Sequence, residues 1–181
     1  MFFIVILFLS QQLFASLPPR PIPRTSSKIF VKTGVFEGGT AGAANLEGIR
    51  FSRNKTEETE RWVLDFSSAH TRSLQETAPK FQVRYSQADR IEVPEGRDVL
   101  LNPPRLIISL QSIKGNYLTR AQFKPFLERS QLVRDIKIYP PIEDGDMAVE
   151  FILKHSIQFE PHQPIQKEGR LVLDLKPIKQ R

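Results

Sequence analysis

The chain of 181 residues is 40% hydrophobic and 25% charged, which suits one domain with its own core and excludes wholesale disorder. It has no cysteine, so disulfides, thiolate metal sites, a cysteine nucleophile and a lipidated N-terminal cysteine are all excluded. The net charge of +6 is scattered along the sequence, a pattern compatible with an acidic partner that does not mark one.

Residues 1–15 are read as a signal peptide. Phe2 to Leu9 is an unbroken apolar run, followed by the polar break Ser10-Gln11-Gln12 and then Leu13-Phe14-Ala15. The run is far shorter than the ~20 residues that cross a bilayer. A short apolar segment ending at a small residue predicts cleavage after Ala15 and export to the periplasm, with no membrane span remaining. No Lys or Arg precedes the run, and a buried N-terminal strand is the competing reading.

Residues 16–45 follow as a proline- and glycine-rich arm. Pro18, Pro19, Pro21 and Pro23 favour an extended polyproline-like tether. Ile29-Phe30-Val31 and Val35-Phe36 are expected to form a peripheral strand. Gly38 to Gly42 reads as a flexible loop, lacking the Gly-Lys-Ser/Thr ending of a phosphate-binding loop.

From 46 to 178 the pattern is that of strands. Ile49 and Phe51 alternate with Arg50 and Ser52, and Trp62, Leu64 and Phe66 alternate with Arg61, Val63 and Asp65. Further rows are Phe81, Val83, Tyr85 and Leu106, Ile108, Leu110. Period-2 alternation gives each strand a core side and a wetter side. The same order then recurs. Ile136 and Ile138 match the Ile49 strand, and Met147, Val149, Phe151 and Leu153 match the Trp62 strand. Ile157 and Phe159 match Phe81 and Val83, and Leu171, Leu173 and Leu175 match the Leu106 strand. The first copy carries an insertion between Gln87 and Pro104. Two similar β units predict an all-β fold, a β-sandwich of two similar antiparallel sheets. Leu118 to Gln131, with Phe123, Phe126 and Leu127 at helical spacing, predicts one short helix between the two halves, limited by Pro125. Trp62, Phe66, Phe151 and Leu173 are expected in the core, and Arg105 and Arg170 at the surface.

No constellation for catalysis stands out. His70, His155 and His162 lack the short helical spacing of a hydrolytic zinc site; His155 and His162 bracket Glu160 across a proline-containing turn, where solvated turn histidines are the better reading and a loop metal site the lesser one. Glu143-Asp144-Gly145-Asp146 reads as a polar hairpin turn rather than a calcium loop, and Glu57, Glu58 and Glu60 as another solvated turn. No serine sits in Gly-x-Ser-x-Gly. The expectation is a binding protein that is not an enzyme, with no metal, no cofactor and no nucleic-acid partner. The outward rows offer Arg50, Arg61, Arg84, Arg105, Arg170 and Lys176 with Asp65, Glu150 and Asp174, suited to carboxylates, hydroxyls and amides or simply to cross-strand ion pairs.

Gly48-Ile-Arg-Phe51, Arg61-Trp-Val-Leu-Asp65-Phe66, Arg105-Leu-Ile-Ile-Ser-Leu110, Val133-Arg-Asp-Ile136, Met147-Ala-Val-Glu-Phe151 and Arg170-Leu-Val-Leu-Asp-Leu175 together resemble the AMIN domain. That family places β-sandwich modules in bacterial envelope proteins, ahead of cell-wall amidases and in type IV pilus secretins. The resemblance covers about Leu46 to Ile178. It implies peptidoglycan binding that localises an unlinked envelope partner, such as an amidase or secretin complex. By position it implies Arg61, Asp65, Arg105, Arg170 and Asp174 as ligand-binding residues. Ser109 departs from the acidic residue usual in the first Arg-led strand. The rival expectation is a periplasmic protein–protein adaptor for a secretion or type IV pilus machine, docking through a sheet edge or the proline arm.

Overall fold

The computed structural model describes residues 20–21, 27–70, 78–87, 89–93, 97–141, 145–164 and 169–178. The segment read as a signal peptide, most of the proline arm and Glu143-Asp144 lie outside them.

Thirteen strands and one helix make up the described chain. They are β1 (Arg20–Pro21), β2 (Val35–Gly38), β3 (Ala44–Asn54), β4 (Thr59–Ser68), β5 (Phe81–Ser86), β6 (Asp89–Val93), β7 (Arg97–Asn102), β8 (Arg105–Leu110), β9 (Ile113–Asn116), α1 (Arg120–Arg129), β10 (Val133–Tyr139), β11 (Met147–Leu153), β12 (Ile157–His162) and β13 (Arg170–Pro177). One sheet has the order β1-β2-β5-β8-β11-β10 and the other β12-β13-β4-β3-β9, while β6 and β7 form a separate hairpin. That hairpin is the insertion in the first copy. Pairing is antiparallel except for β1 with β2 and β3 with β9, both at sheet margins.

The two sheets face each other and bury between them the apolar rows of β2–β5 and β8–β13. Trp62 and Phe66 from one sheet and Phe151 from the other have no exposure, nor has Leu173. Rings meet across the interface: Trp62 lies 5.5 Å from Phe151 at 78°, and Phe159 lies 5.6 Å from Phe36 and 5.8 Å from Tyr85. The fold is the all-β sandwich that the alternation predicts.

The two copies do not correspond to the two sheets. Each copy places its first hairpin in one sheet and its remaining strands in the other. The order β5-β8-β11-β10 in the first sheet therefore matches β12-β13-β4-β3 in the second, position for position. At the centre of each sheet an Arg-led strand pairs with the other copy: β8 with β11, and β13 with β4. Register refines the matching of the copies. Leu110 faces Phe81 and its counterpart Leu175 faces Phe159, so Phe159 corresponds to Phe81 and Pro161 to Val83, two residues on from the sequence matching.

The helix begins at Thr119, whose backbone N–H donates to Gln122 Oε1 at 2.6 Å, and it runs through Pro125. Phe123 is buried, and Phe126 stacks 6.2 Å from Phe51. Glu60 fixes the far end. Its carboxylate accepts Ser130 Oγ at 2.6 Å and Gln131 N–H at 2.5 Å, and the residue is 1% exposed rather than part of a solvated turn. The reason is parity: Glu60 shares the inward row with Trp62, and the loop after α1 closes over it.

The segment before β3 belongs to the fold as well. Val31 exchanges backbone hydrogen bonds with Phe159 at 2.9 and 3.0 Å, laying residues 27–31 along β12. The Gly38–Gly42 loop is pinned rather than flexible. Thr40 N–H donates to the Ala78 carbonyl at 3.0 Å, and Gly39, at φ +80°, presses so closely that a Cβ would lie 2.0 Å from the Pro79 carbonyl oxygen.

Candidate binding face and a buried polar cluster

Side chains alternate across a strand, so the residues between the core rows of β3, β4, β13 and β12 share the outer face of the five-stranded sheet. Register sets them against one another. Arg170 pairs across from Asp65, Asp174 from Arg61, and Glu160 from Asp174. Arg61 grips Asp174 with Nε at 2.7 Å and Nη2 at 2.8 Å. Asp65 receives Arg50 through Nε at 2.6 Å and Nη2 at 2.7 Å, and Arg170 through Nε at 2.9 Å. Two-pronged charge-assisted bonds of this kind hold guanidinium planes in fixed orientation.

Four of the five residues that the sequence singles out, Arg61, Asp65, Arg170 and Asp174, thus meet on one face. Arg105 does not join them. It lies on the outer face of the other sheet, where its Nη1 donates to Glu150 Oε1 at 2.9 Å while the Tyr139 hydroxyl donates to Oε2 at 2.9 Å. The interleaving of copies causes the separation, because β8 and β13 occupy equivalent places in opposite sheets. Neither arginine stands free at the surface: the side chains of Arg105 and Arg170 are 31% and 20% exposed, each in an ion pair.

The two outer faces differ in charge for a reason visible in register. Asp174 and Arg61 correspond to Ser109 and Ala148, which also face each other, so both members of that ion pair are missing together from the six-stranded sheet. The counterpart of Asp65 is Ile152. The five-stranded sheet therefore carries two acid–arginine clusters, at Asp65 and Asp174, where the six-stranded sheet keeps Arg105 with Glu150.

Its centre is an open concavity of about 380 Å³ bounded by Arg50, Arg61, Arg170 and His162, with Val63, Val172, Phe51 and Pro164 as apolar lining. A second concavity of about 310 Å³ lies on the other side of Arg61, lined by Lys28, Phe30, Thr56–Thr59, Asp174 and Lys176. Lys176 Nζ sits 5.6 Å from the Phe30 ring centre. The surface thus offers fixed cations beside small apolar patches.

Beneath Arg61 lies a buried cluster where the sequence predicts a solvated turn histidine. Glu160, His162 and Asp174 are all buried. Glu160 Oε1 accepts the Ser27 backbone N–H at 2.5 Å and its hydroxyl at 2.8 Å. Burial pushes the His162 imidazole below its usual 6.5 despite the pull of Asp174. The available signal was the inward row Ile157, Phe159, Pro161, which sends Glu160 and His162 together to the opposite face. The hold of Ser27 on Glu160 is not readable from the sequence. His155 and His70, by contrast, are exposed.

No protein-family model matches the chain, and no curated protein matches it. Among the described residues, no helix is long and apolar enough to cross a membrane.

Proposed function

We propose that the protein is an exported, non-catalytic module of the bacterial cell envelope that binds peptidoglycan through the outer face of the five-stranded sheet and so localises a partner. The observation that carries this reading is the convergence of Arg50, Arg61 and Arg170 around one open, partly apolar concavity. Stem peptides present carboxylates, and wall sugars present hydroxyls, amides and apolar ring faces. Guanidinium groups held in plane by Asp65 and Asp174 offer donors to such groups, and the valine floor accepts an apolar ring. Each contact is weak, but a repeating polymer sums many of them. The resemblance to the AMIN domain agrees with this role.

The test uses the chain expressed with its first fifteen residues and recovered from the periplasm with Ser16 as its N-terminus. It should co-sediment with purified sacculi at low salt and release as salt rises, because exposed charges are screened beyond about 8 Å at physiological ionic strength. Arg170→Ala and Arg50→Ala should each weaken sedimentation, since each leaves Asp65 its other arginine and so spares the fold. Arg105→Ala, on the opposite sheet, should leave binding unchanged. Wild-type protein remaining in the supernatant at low salt would overturn wall binding and leave the protein-adaptor reading in its place.

A further inference from the structure

Glu160 and His162 stand two residues apart on β12 and leave the sheet on the same face, and Asp174 stands across from Glu160 on β13. One donor atom from each lies within 4.8 Å of the other two. The three residues are 2%, 5% and 2% exposed. His162 Nδ1 is fully enclosed and has no hydrogen-bond partner among the described residues, and it lies 3.8 Å from Asp174 Oδ2, too far for a hydrogen bond. Folded proteins seldom leave a buried polar atom unpaired, and such an atom calls for a missing partner.

We propose that Glu160, His162 and Asp174 bind a divalent transition-metal ion of the zinc type. One imidazole nitrogen with two carboxylate oxygens is a ligand set that zinc accepts, and the nitrogen disfavours calcium and magnesium, which take oxygen donors. Ligand atoms on a tetrahedral zinc ion lie about 3.4 Å apart. The 3.8 Å between Nδ1 and Oδ2 is already close to that, and the donor atoms all lie within 4.8 Å of one another. The Arg61 fork does not block the site, because a carboxylate oxygen has two lone pairs and Oδ2 can serve both Nη2 and a metal. It acts as a second-layer support that orients Asp174. Two carboxylates supply anionic oxygen donors, one of them already oriented by Arg61. With three protein ligands, a fourth position remains for water or an anionic group. His162 lines the first concavity and Asp174 the second, so the site lies under the same face as the arginines. The site stands on its own geometry and does not depend on wall binding.

The experiment uses the untagged full chain stripped with a chelator. Titration with cobalt(II) should give visible ligand-field absorption saturating at one metal per chain, abolished by added zinc. Zinc should also raise the melting temperature in proportion to the logarithm of its free concentration. His162→Gln should lose both responses while keeping the β-type circular dichroism of the stripped wild type. Glu160→Gln should weaken cobalt binding about tenfold or more, and it decides the matter should His162→Gln not fold. His155→Gln, altering an exposed histidine, should bind as wild type. The proposal is overturned if wild type gives neither absorption nor a thermal response, if the His162 and Glu160 variants bind like wild type, or if calcium or magnesium stabilises the chain as well as zinc does.

Discussion

Truncating Phe151 to alanine tests the sandwich at its centre. Phe151 has no exposure, faces Leu106 and Ile136 on its two neighbouring strands, and meets Trp62 of the opposite sheet edge-on at 5.5 Å. Losing the buried ring removes about 2–3 kcal/mol of transfer free energy. A hole of about 80 Å³ that the two sheets do not close adds about 2 kcal/mol, at roughly 24 cal/mol per Å³. The sum, about 4–5 kcal/mol, falls within the usual range of about 3–5 for buried Phe→Ala. For a domain of this size it should lower the melting temperature by roughly 8–20 °C. Urea unfolding followed by tryptophan fluorescence reads the change directly, since Trp62 is the single tryptophan and packs on the mutated ring. Phe151→Leu should cost under about 1.5 kcal/mol, because most of the volume stays. Ser109→Ala, exposed on the outward row of the neighbouring strand, should cost within about 0.5 kcal/mol. A Phe151→Ala loss below about 1 kcal/mol, at unchanged urea dependence, would mean that the faces of β11 are assigned backwards.

Two other expectations concern the periphery. Burial alone would raise the Glu150 pKa, but hydrogen bonds from Arg105 and Tyr139 outweigh it and hold the carboxyl below its ordinary 4.5. A carboxyl depressed in the folded state contributes stability above its unfolded pKa, and that contribution is lost as pH falls through the folded value. Glu150→Gln should therefore narrow the stability difference between pH 6 and acid relative to wild type, on the order of a titration span; an unchanged acid limb in urea melts would refute the pairing. Gly39→Ala should destabilise by more than about 1 kcal/mol, because alanine at φ +80° is strained and its Cβ would meet the Pro79 carbonyl oxygen at 2.0 Å. A neutral thermal melt for that variant would mean that the Gly38–Gly42 loop is loose.

The faces of the strands were legible because burial imposes period 2, and a one-residue error would turn every core residue outward. That is why Trp62, Phe66, Phe151 and Leu173 read correctly as core, and why Arg61, Asp65, Arg170 and Asp174 read correctly as facing away from it. Which strands become neighbours was not legible, since pairing depends on contacts far apart in the chain. Arg105 was grouped with Arg170 by the likeness of their strands, yet interleaving sends them to opposite sides of the molecule. Glu60 looked solvated because it ends an acidic turn, and only the loop after α1 makes it internal. Glu160 is hidden for the same kind of reason: it is held by Ser27, more than a hundred residues earlier.

The exchange of hairpins between sheets bears on how such a molecule could arise and be taken apart. A single unit, β3 to β8 or β10 to β13, contributes two separate edges and no complete sheet. Alone it would present an apolar face on each half with nothing opposite. Its counterpart supplies the missing neighbours, as two identical chains would in an intertwined homodimer. Joining two such chains end to end would give this topology directly, with residues between β8 and β10 as the joint. Splitting the chain at the exposed start of α1, Thr119 to Gln122, should then give halves that are unfolded apart and regain structure when mixed.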